Sequence, residues 1–159
     1  MTTAWVDKQR IVEELDEALG NVLLERTSDA DLIRESRGDG GPSGDPVDVA
    51  YEWQIGRHAY SLSKRQAEAR RIREKLKDLD LSPATRVRVG ACFLVLDIRT
   101  GKEQVYLVLL ACDRSDFMGC CLITPDAPLC QAIMGKAKGD EAVVTVPSGT
   151  KTMRVLSVY

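Results

Sequence analysis

A chain of 159 residues with 29% charged side chains, 5% aromatic ones and a net charge of −2 is long enough to bury a core, as one domain or two small ones. No run approaches the roughly 20 apolar residues of a membrane span, and the opening MTTAWVDKQR lacks the apolar stretch of a secretion signal, so a cytoplasmic protein is expected. The five cysteines (Cys92, Cys112, Cys120, Cys121 and Cys130) are odd in number and form no CxxC pair, which argues against a disulfide framework or a zinc site and for buried thiols in a reducing compartment.

From about Asp7 to Arg37, Ile11, Leu15, Leu19, Val22, Leu23, Leu32 and Ile33 recur at helical spacing. Gly20 and the polar stretch Thr27–Asp31 mark a bend or break in that helix. Arg37–Asp48, RGDGGPSGDPVD, holds four glycines and two prolines, so neither helix nor strand runs through it. Asp39, Asp45 and Asp48 sit there, where the chain reverses. Asp45 before Pro46 also reads as a helix cap, and Asp48 favours the positive end of the helix dipole, so both acids have a purely structural account.

A second helix is expected from about Pro46 to Leu79. Ile55, Leu62, Ala69 and Leu76 form a seven-residue series, with Ile72 and Leu79 three residues behind its last two members, the pattern of a short coiled-coil seam. At 1.5 Å per residue, a helix of about 30 residues extends about 45–50 Å. Trp53 and Tyr60, seven residues apart, read as packing, and His58 as a packed or half-exposed helix residue. The first arm is acidic (Glu13, Glu14, Asp16, Glu17). The later part of the second is basic (Lys64, Arg65, Arg70, Arg71, Arg73, Lys75, Lys77). Such arms attract each other in a hairpin, and the basic run is also a candidate nucleic-acid face.

LSPAT at Leu81–Thr85, with Pro83 as breaker, divides the chain into a helical hairpin over 1–82, with its acidic tip at 38–48, and a second domain over 83–159. Strands are expected over Arg86–Ile98, Glu103–Cys112, Cys120–Thr124, Glu141–Val146 and Lys151–Val158. A short helix is expected over Pro128–Met134, and the DRSDFMG stretch as a polar loop. The class is α+β, a helical hairpin followed by a small antiparallel sheet with one short helix.

DAPLCQAIMGKAKGDEAVVTVPSGTKTMRVLSVY, Asp126–Tyr159, resembles the C-terminal domain of the Gre transcript-cleavage factors (GreA and GreB) of bacterial RNA polymerase. VGACFLVLDIRTGKEQVYLVL, from Val89, is similar to that family's first hairpin. In the N-terminal half, Gly44-Asp45-Pro46-Val47-Asp48-Val49-Ala50 resembles the family's tip, in which Gly-Asp is followed after two residues by a second acid.

The resemblance implies an FKBP-like C-terminal domain that holds the rim of the polymerase's secondary channel, with Asp126, Pro128 and Leu129 at the contact. The hairpin then enters the channel. Asp45 and Asp48, which at i and i+3 share a helix face, help bind a magnesium ion shared with the polymerase and orient water for hydrolysis of backtracked RNA. Arg37 and Arg57 come within reach of RNA phosphates. Mg²⁺ prefers carboxylate oxygens but needs more ligands than this tip offers, so the chain is expected to stimulate the polymerase's own endonucleolytic activity and to be no nuclease alone. A monomer is expected, since each arm finds its seam partner within the chain, and the nascent RNA 3′ end is met only through the polymerase.

Four features depart from the family pattern. Asp48 stands where the family has glutamate, Val47 and Val49 replace polar residues, the loop GDGGPS is longer, and Asp39 has no assigned role. They keep open a second function: a secondary-channel regulator that inhibits without stimulating cleavage. A prolyl isomerase, the third class for an FKBP-like sheet, needs an aromatic pocket, for which this domain offers only Phe93, Tyr106, Phe117 and Tyr159.

Overall fold

The computed structural model describes residues 7–25, 46–113 and 115–159, without the side chains of 46–52 and 55. Helix α1 spans Lys8–Leu24, and helix α2 spans Pro46–Lys77. Asp7 caps α1: its carboxylate accepts the Arg10 N–H at 3.1 Å, at the third helical position. Ile11, Val12, Leu15 and Leu19 are buried along α1, and Ala69, Ile72 and Leu76 along α2, while Leu62 is half-buried. Apart from Val12, these are apolar positions of the expected helical periodicity, of which Val22 and Leu23 are half-buried. The stretch expected to extend the first helix to Arg37, and the tip through Asp45, lie outside the described residues.

The chain forms two compact units, Met1–Glu17 with Arg71–Tyr159, and Ala18–Arg70. In the second unit the helices are joined through one side-chain amide. Gln66 Nε2 donates to the carbonyls of Val22 at 3.3 Å, Leu23 at 3.5 Å and Glu25 at 2.9 Å. The Leu23 and Glu25 carbonyls lie at the helix C-terminus, where the last carbonyls lack intrahelical partners, and the Val22 carbonyl also accepts the Glu25 N–H at 3.3 Å. Arg65 and Glu25 add an exposed ion pair at 3.4 Å.

The first unit holds a six-stranded sheet in the order β3-β4-β2-β1-β6-β5. The strands are β1 Cys92–Asp97, β2 Glu103–Val108, β3 Asp116–Phe117, β4 Cys120–Ile123, β5 Glu141–Val146 and β6 Gly149–Val158. Helix α3, Pro128–Ile133, lies between β4 and β5 in sequence. The α+β class expected from the sequence is what the chain adopts, with two differences in the sheet. The pair β2–β4 is parallel rather than antiparallel, because the polar stretch before Gly119 supplies an unexpected strand, β3, at the edge beyond β4. Met118 (φ 54°) and Gly119 (φ 74°) make the tight β3–β4 turn, both left-handed as such a two-residue hairpin turn requires.

Burial explains the strand sequences. CFLVLD of β1 is an almost unbroken apolar run, and it is buried on nearly every residue because β1 is interior to the sheet. β5 is an edge strand, and its residues alternate, with Ala142 and Val144 inward and Glu141, Val143 and Thr145 outward. Val87, Phe93, Val95, Val108, Cys130, Ile133, Ala142, Val144, Met153 and Val155 form one core cluster. The β1–β2 turn is closed by Asp97, whose buried carboxylate accepts the N–H groups of Arg99 at 3.0 Å and Thr100 at 3.2 Å.

Asp16 and Arg73 form a bidentate pair in this unit, at 2.7 and 2.8 Å. The Arg73 hydrogen bond, against a smaller opposing effect of burial, holds the Asp16 carboxyl below its ordinary 3.8. A carboxylate so depressed contributes fully above its unfolded value, and the contribution is lost as pH falls through the folded one. Both partners are about a third exposed, so the effect is screened and small. Asp16→Asn should therefore lower the urea midpoint slightly at neutral pH, and the difference from wild type should shrink as pH falls from 3.8 through the lower folded value. A difference that persists unchanged into acid would assign the loss to packing instead.

Candidate functional site

Of the residues expected at the hairpin tip, Arg37 and Asp45 lie outside the described residues, as does Asp39. Asp48 stands in the first turn of α2, and its side chain is outside the described set. Arg57 is exposed on α2, its guanidinium carbon 5.4 Å from the centroid of the Trp53 ring. Trp53 and Tyr60 correct the packing expectation: they are 69% and 73% exposed. His58 is also exposed. The heptad spacing of the two aromatics is real, but it falls on the face opposite the buried residues.

The three residues expected at the polymerase rim open α3. Asp126 and Pro128 are exposed, and Leu129 is half-buried against the core cluster. The competing account of Asp126 as a helix cap does not hold, because the N-cap is Ala127, which makes no side-chain capping bond. A Thr124 hydrogen bond to the Asp126 carboxylate keeps it below the usual aspartate value. Asp126 and Pro128 thus present a charge and a rigid ring to solvent on a structured turn.

Two further features were not apparent from the sequence. The first is an open groove of about 630 Å³ on the sheet, lined among others by Leu94, Glu103, Lys138, Leu156 and Tyr159. It follows from a bulge: Leu94 pairs with Ser157 but Val95 with Val155, which leaves Leu156 as the extra residue. No alternation of residue types signals that position. The second is the pairing of two of the thiols expected to be buried, Cys92 and Cys120. A hydrogen bond between them lowers Cys92 and raises Cys120. Among the described residues, no group of three or more His, Cys, Asp or Glu side chains is gathered to hold a metal ion, and no helix is long and apolar enough to cross a membrane.

Comparison with known proteins places these features in a family. The family model described as "Transcription elongation factor, GreA/GreB, C-term" matches residues 82–159. Transcription elongation factor GreA of Aliarcobacter butzleri is 30% identical over 115 residues, covering 60% of this chain and 70% of that protein. GreA of Nitratidesulfovibrio vulgaris is 29% identical over 147 residues, 92% of this chain and 87% of that one. The crystal structure of GreA factor homolog 1 of Thermus thermophilus superposes with a TM-score of 0.40 at 18% identity, covering 96% of this chain and 94% of that one, a score too low to carry an argument. The sequence relationships reach from the sheet unit into both helices, and on them the chain belongs to the GreA/GreB family of transcription elongation factors.

Proposed function

We propose that this chain binds bacterial RNA polymerase and stimulates the polymerase's hydrolysis of backtracked RNA. In this reading the helical part, residues 1–82, enters the secondary channel, and the sheet domain, residues 83–159, holds the rim through Asp126, Pro128 and Leu129. The observation that carries it is the GreA relationship extending over 92% of the chain. Asp45 and Asp48 supply carboxylate oxygens to an Mg²⁺ ion that the polymerase also holds. That ion supplies Lewis-acid activation of water at the RNA phosphate. The chain's own part is to position the two acids at the end of a helical arm. Two carboxylates alone leave most of the Mg²⁺ coordination shell to other ligands, so the isolated chain has no nuclease activity.

A second reading rests on the tip sequence. Asp48 is one methylene shorter than the family's glutamate, and Val47 and Val49 flank it with apolar side chains. In that reading the protein occupies the channel and slows the polymerase without cleavage.

One experiment separates the two: 3′ cleavage in a stalled, backtracked elongation complex, with wild type beside Asp45→Ala and Asp48→Ala. Stimulation by wild type that both substitutions reduce by about 100-fold or more, the scale of removing a positioned catalytic group, supports cleavage. Slowed elongation without cleavage supports the second reading. Absence of polymerase binding overturns both.

A further inference from the structure

Cys92 on β1 and Cys120 on β4 stand two strands apart, with β2 between them. The register sets Cys92 beside Leu107, and Leu107 beside Leu122, which is two residues along β4 from Cys120. All four side chains therefore rise on one face of the sheet. That face is apolar and dry at this point: Cys92 and Leu107 are 0% exposed, Cys120 1% and Leu122 2%. The two thiols share a hydrogen bond. They are not placed for a disulfide. Two strand spacings put their Cα atoms about 9.5 Å apart, beyond the roughly 7 Å that a disulfide bridges without backbone movement. Cys121, the next residue of β4, points to the other face with Tyr106. A positive charge stands close by. Lys8 Nζ donates to the Tyr159 carbonyl at 2.9 Å, and the same oxygen accepts the Cys92 N–H at 3.2 Å.

We propose that Cys92 and Cys120 form a two-coordinate site for a soft monovalent cation, copper(I). Thiolate ligands select soft cations, Cu(I) among them. On binding, the cation takes the place of the proton that the two sulfurs share. Two S–H bonds break, two S–Cu bonds form and two protons leave to solvent, with no change of oxidation state. At about 2.3 Å for a metal–sulfur bond, the S–Cu–S link spans about 4.6 Å, a reach that suits strands too far apart for an S–S bond of about 2.05 Å. The bis-thiolate carries one net negative charge, and the Lys8 ammonium is its counter-ion. Zinc does not fit the same place, because it takes four ligands and the neighbouring Leu107 and Leu122 side chains supply none. Beyond β4 the sheet holds only the two-residue β3, so opening of that short edge gives the cation a way in to Cys120. The site is independent of the polymerase function proposed above.

The test uses the full chain, reduced and kept anaerobic, titrated with Cu(I) held by a coloured bicinchoninate chelator. One Cu(I) per chain should pass from the chelator to the protein. Lys8→Met should weaken that transfer by roughly 10- to 100-fold, the scale of losing an outer-shell partner, and Cys92→Ser and Cys120→Ser should each weaken it more. Cys112→Ser and Cys121→Ser should bind like wild type. X-ray absorption at the copper edge of the wild-type complex should show two sulfur neighbours alone, a reading that does not depend on how the serine variants fold. Nitrogen, oxygen or a third sulfur around the copper would overturn the two-thiol site. So would failure of wild type to take Cu(I) from the chelator, or transfer to the Cys92→Ser and Cys120→Ser variants as strong as to wild type. Displacement of the bound Cu(I) by an equal concentration of Zn(II) would overturn the choice of cation.

Discussion

Gly90→Ala should destabilise the protein by at least about 3 kcal/mol, the largest effect expected of any glycine substitution described. Two costs combine there. Gly90 has φ +82°, where an L side chain costs about 1–2 kcal/mol. A Cβ at this position would also lie 2.1 Å from the Asp80 carbonyl oxygen, well inside contact distance and against backbone. Neither side is free to retreat. The Gly90 N–H donates to the Val108 carbonyl at 2.9 Å, and its own carbonyl accepts Lys8 Nζ, which also binds the carbonyls of Ser82 and Tyr159. Asp80 is held by Arg88 at 2.9 Å and by the Ser82 N–H. Gly101→Ala is the control. Its φ is +69° with nothing within 4 Å, so about 1 kcal/mol is expected there. Urea unfolding of both variants measures the difference. Equal losses would mean that the approach to Asp80 carries no energetic weight.

Phe93→Ala should cost about 3–5 kcal/mol. Phe93 is the largest fully buried side chain among the described residues, on the interior strand β1. Its ring stacks on Tyr106 of β2, with centroids 5.5 Å apart and planes 18° from parallel. Truncation removes the buried ring surface and leaves a cavity that the sheet backbone on both sides prevents from collapsing. Against a total of about 5–15 kcal/mol for a domain, the loss takes a large share of the stability. Ile133→Val, at a buried site on α3, removes one methylene and should cost only about 0.5–1.5 kcal/mol. A chemical-denaturation loss below about 1 kcal/mol for Phe93→Ala would contradict a close-packed core at that point.

The legible parts of the fold were those where residue pattern and environment coincide. β5 is half-buried, so its alternation marks Glu141–Val146 at both ends. Proline at the start and glycine past the end place α3 to within one residue. β1 is shorter than the Arg86–Ile98 run, because Gly90 turns the chain and only an isolated Arg86–Ala137 bridge precedes the strand. Strand direction leaves no mark on a period of two, which hides the parallel β2–β4 pair. Two residues are too few to show a period, which hides β3. Trp53 and Tyr60 misled because a seven-residue repeat marks a helix face without saying which face is inside. The proposed tip acids rest on the Gly-Asp-x-x-Asp spacing alone, since Asp45 and the side chain of Asp48 lie outside the described residues. The exposure of Asp126 and Pro128, which depends on how α3 is set on the core, had no sequence signal at all.

The strand order has a consequence for biosynthesis. β6 lies between β1 and β5, so the two parts of the sheet are joined only by the last strand in sequence. At about 5–20 residues per second, several seconds separate the emergence of β1 from the ribosome and the arrival of β6. Throughout that interval Phe93 and Val95 belong to a strand with one long side unpaired, the kind of nascent apolar edge that chaperones shield.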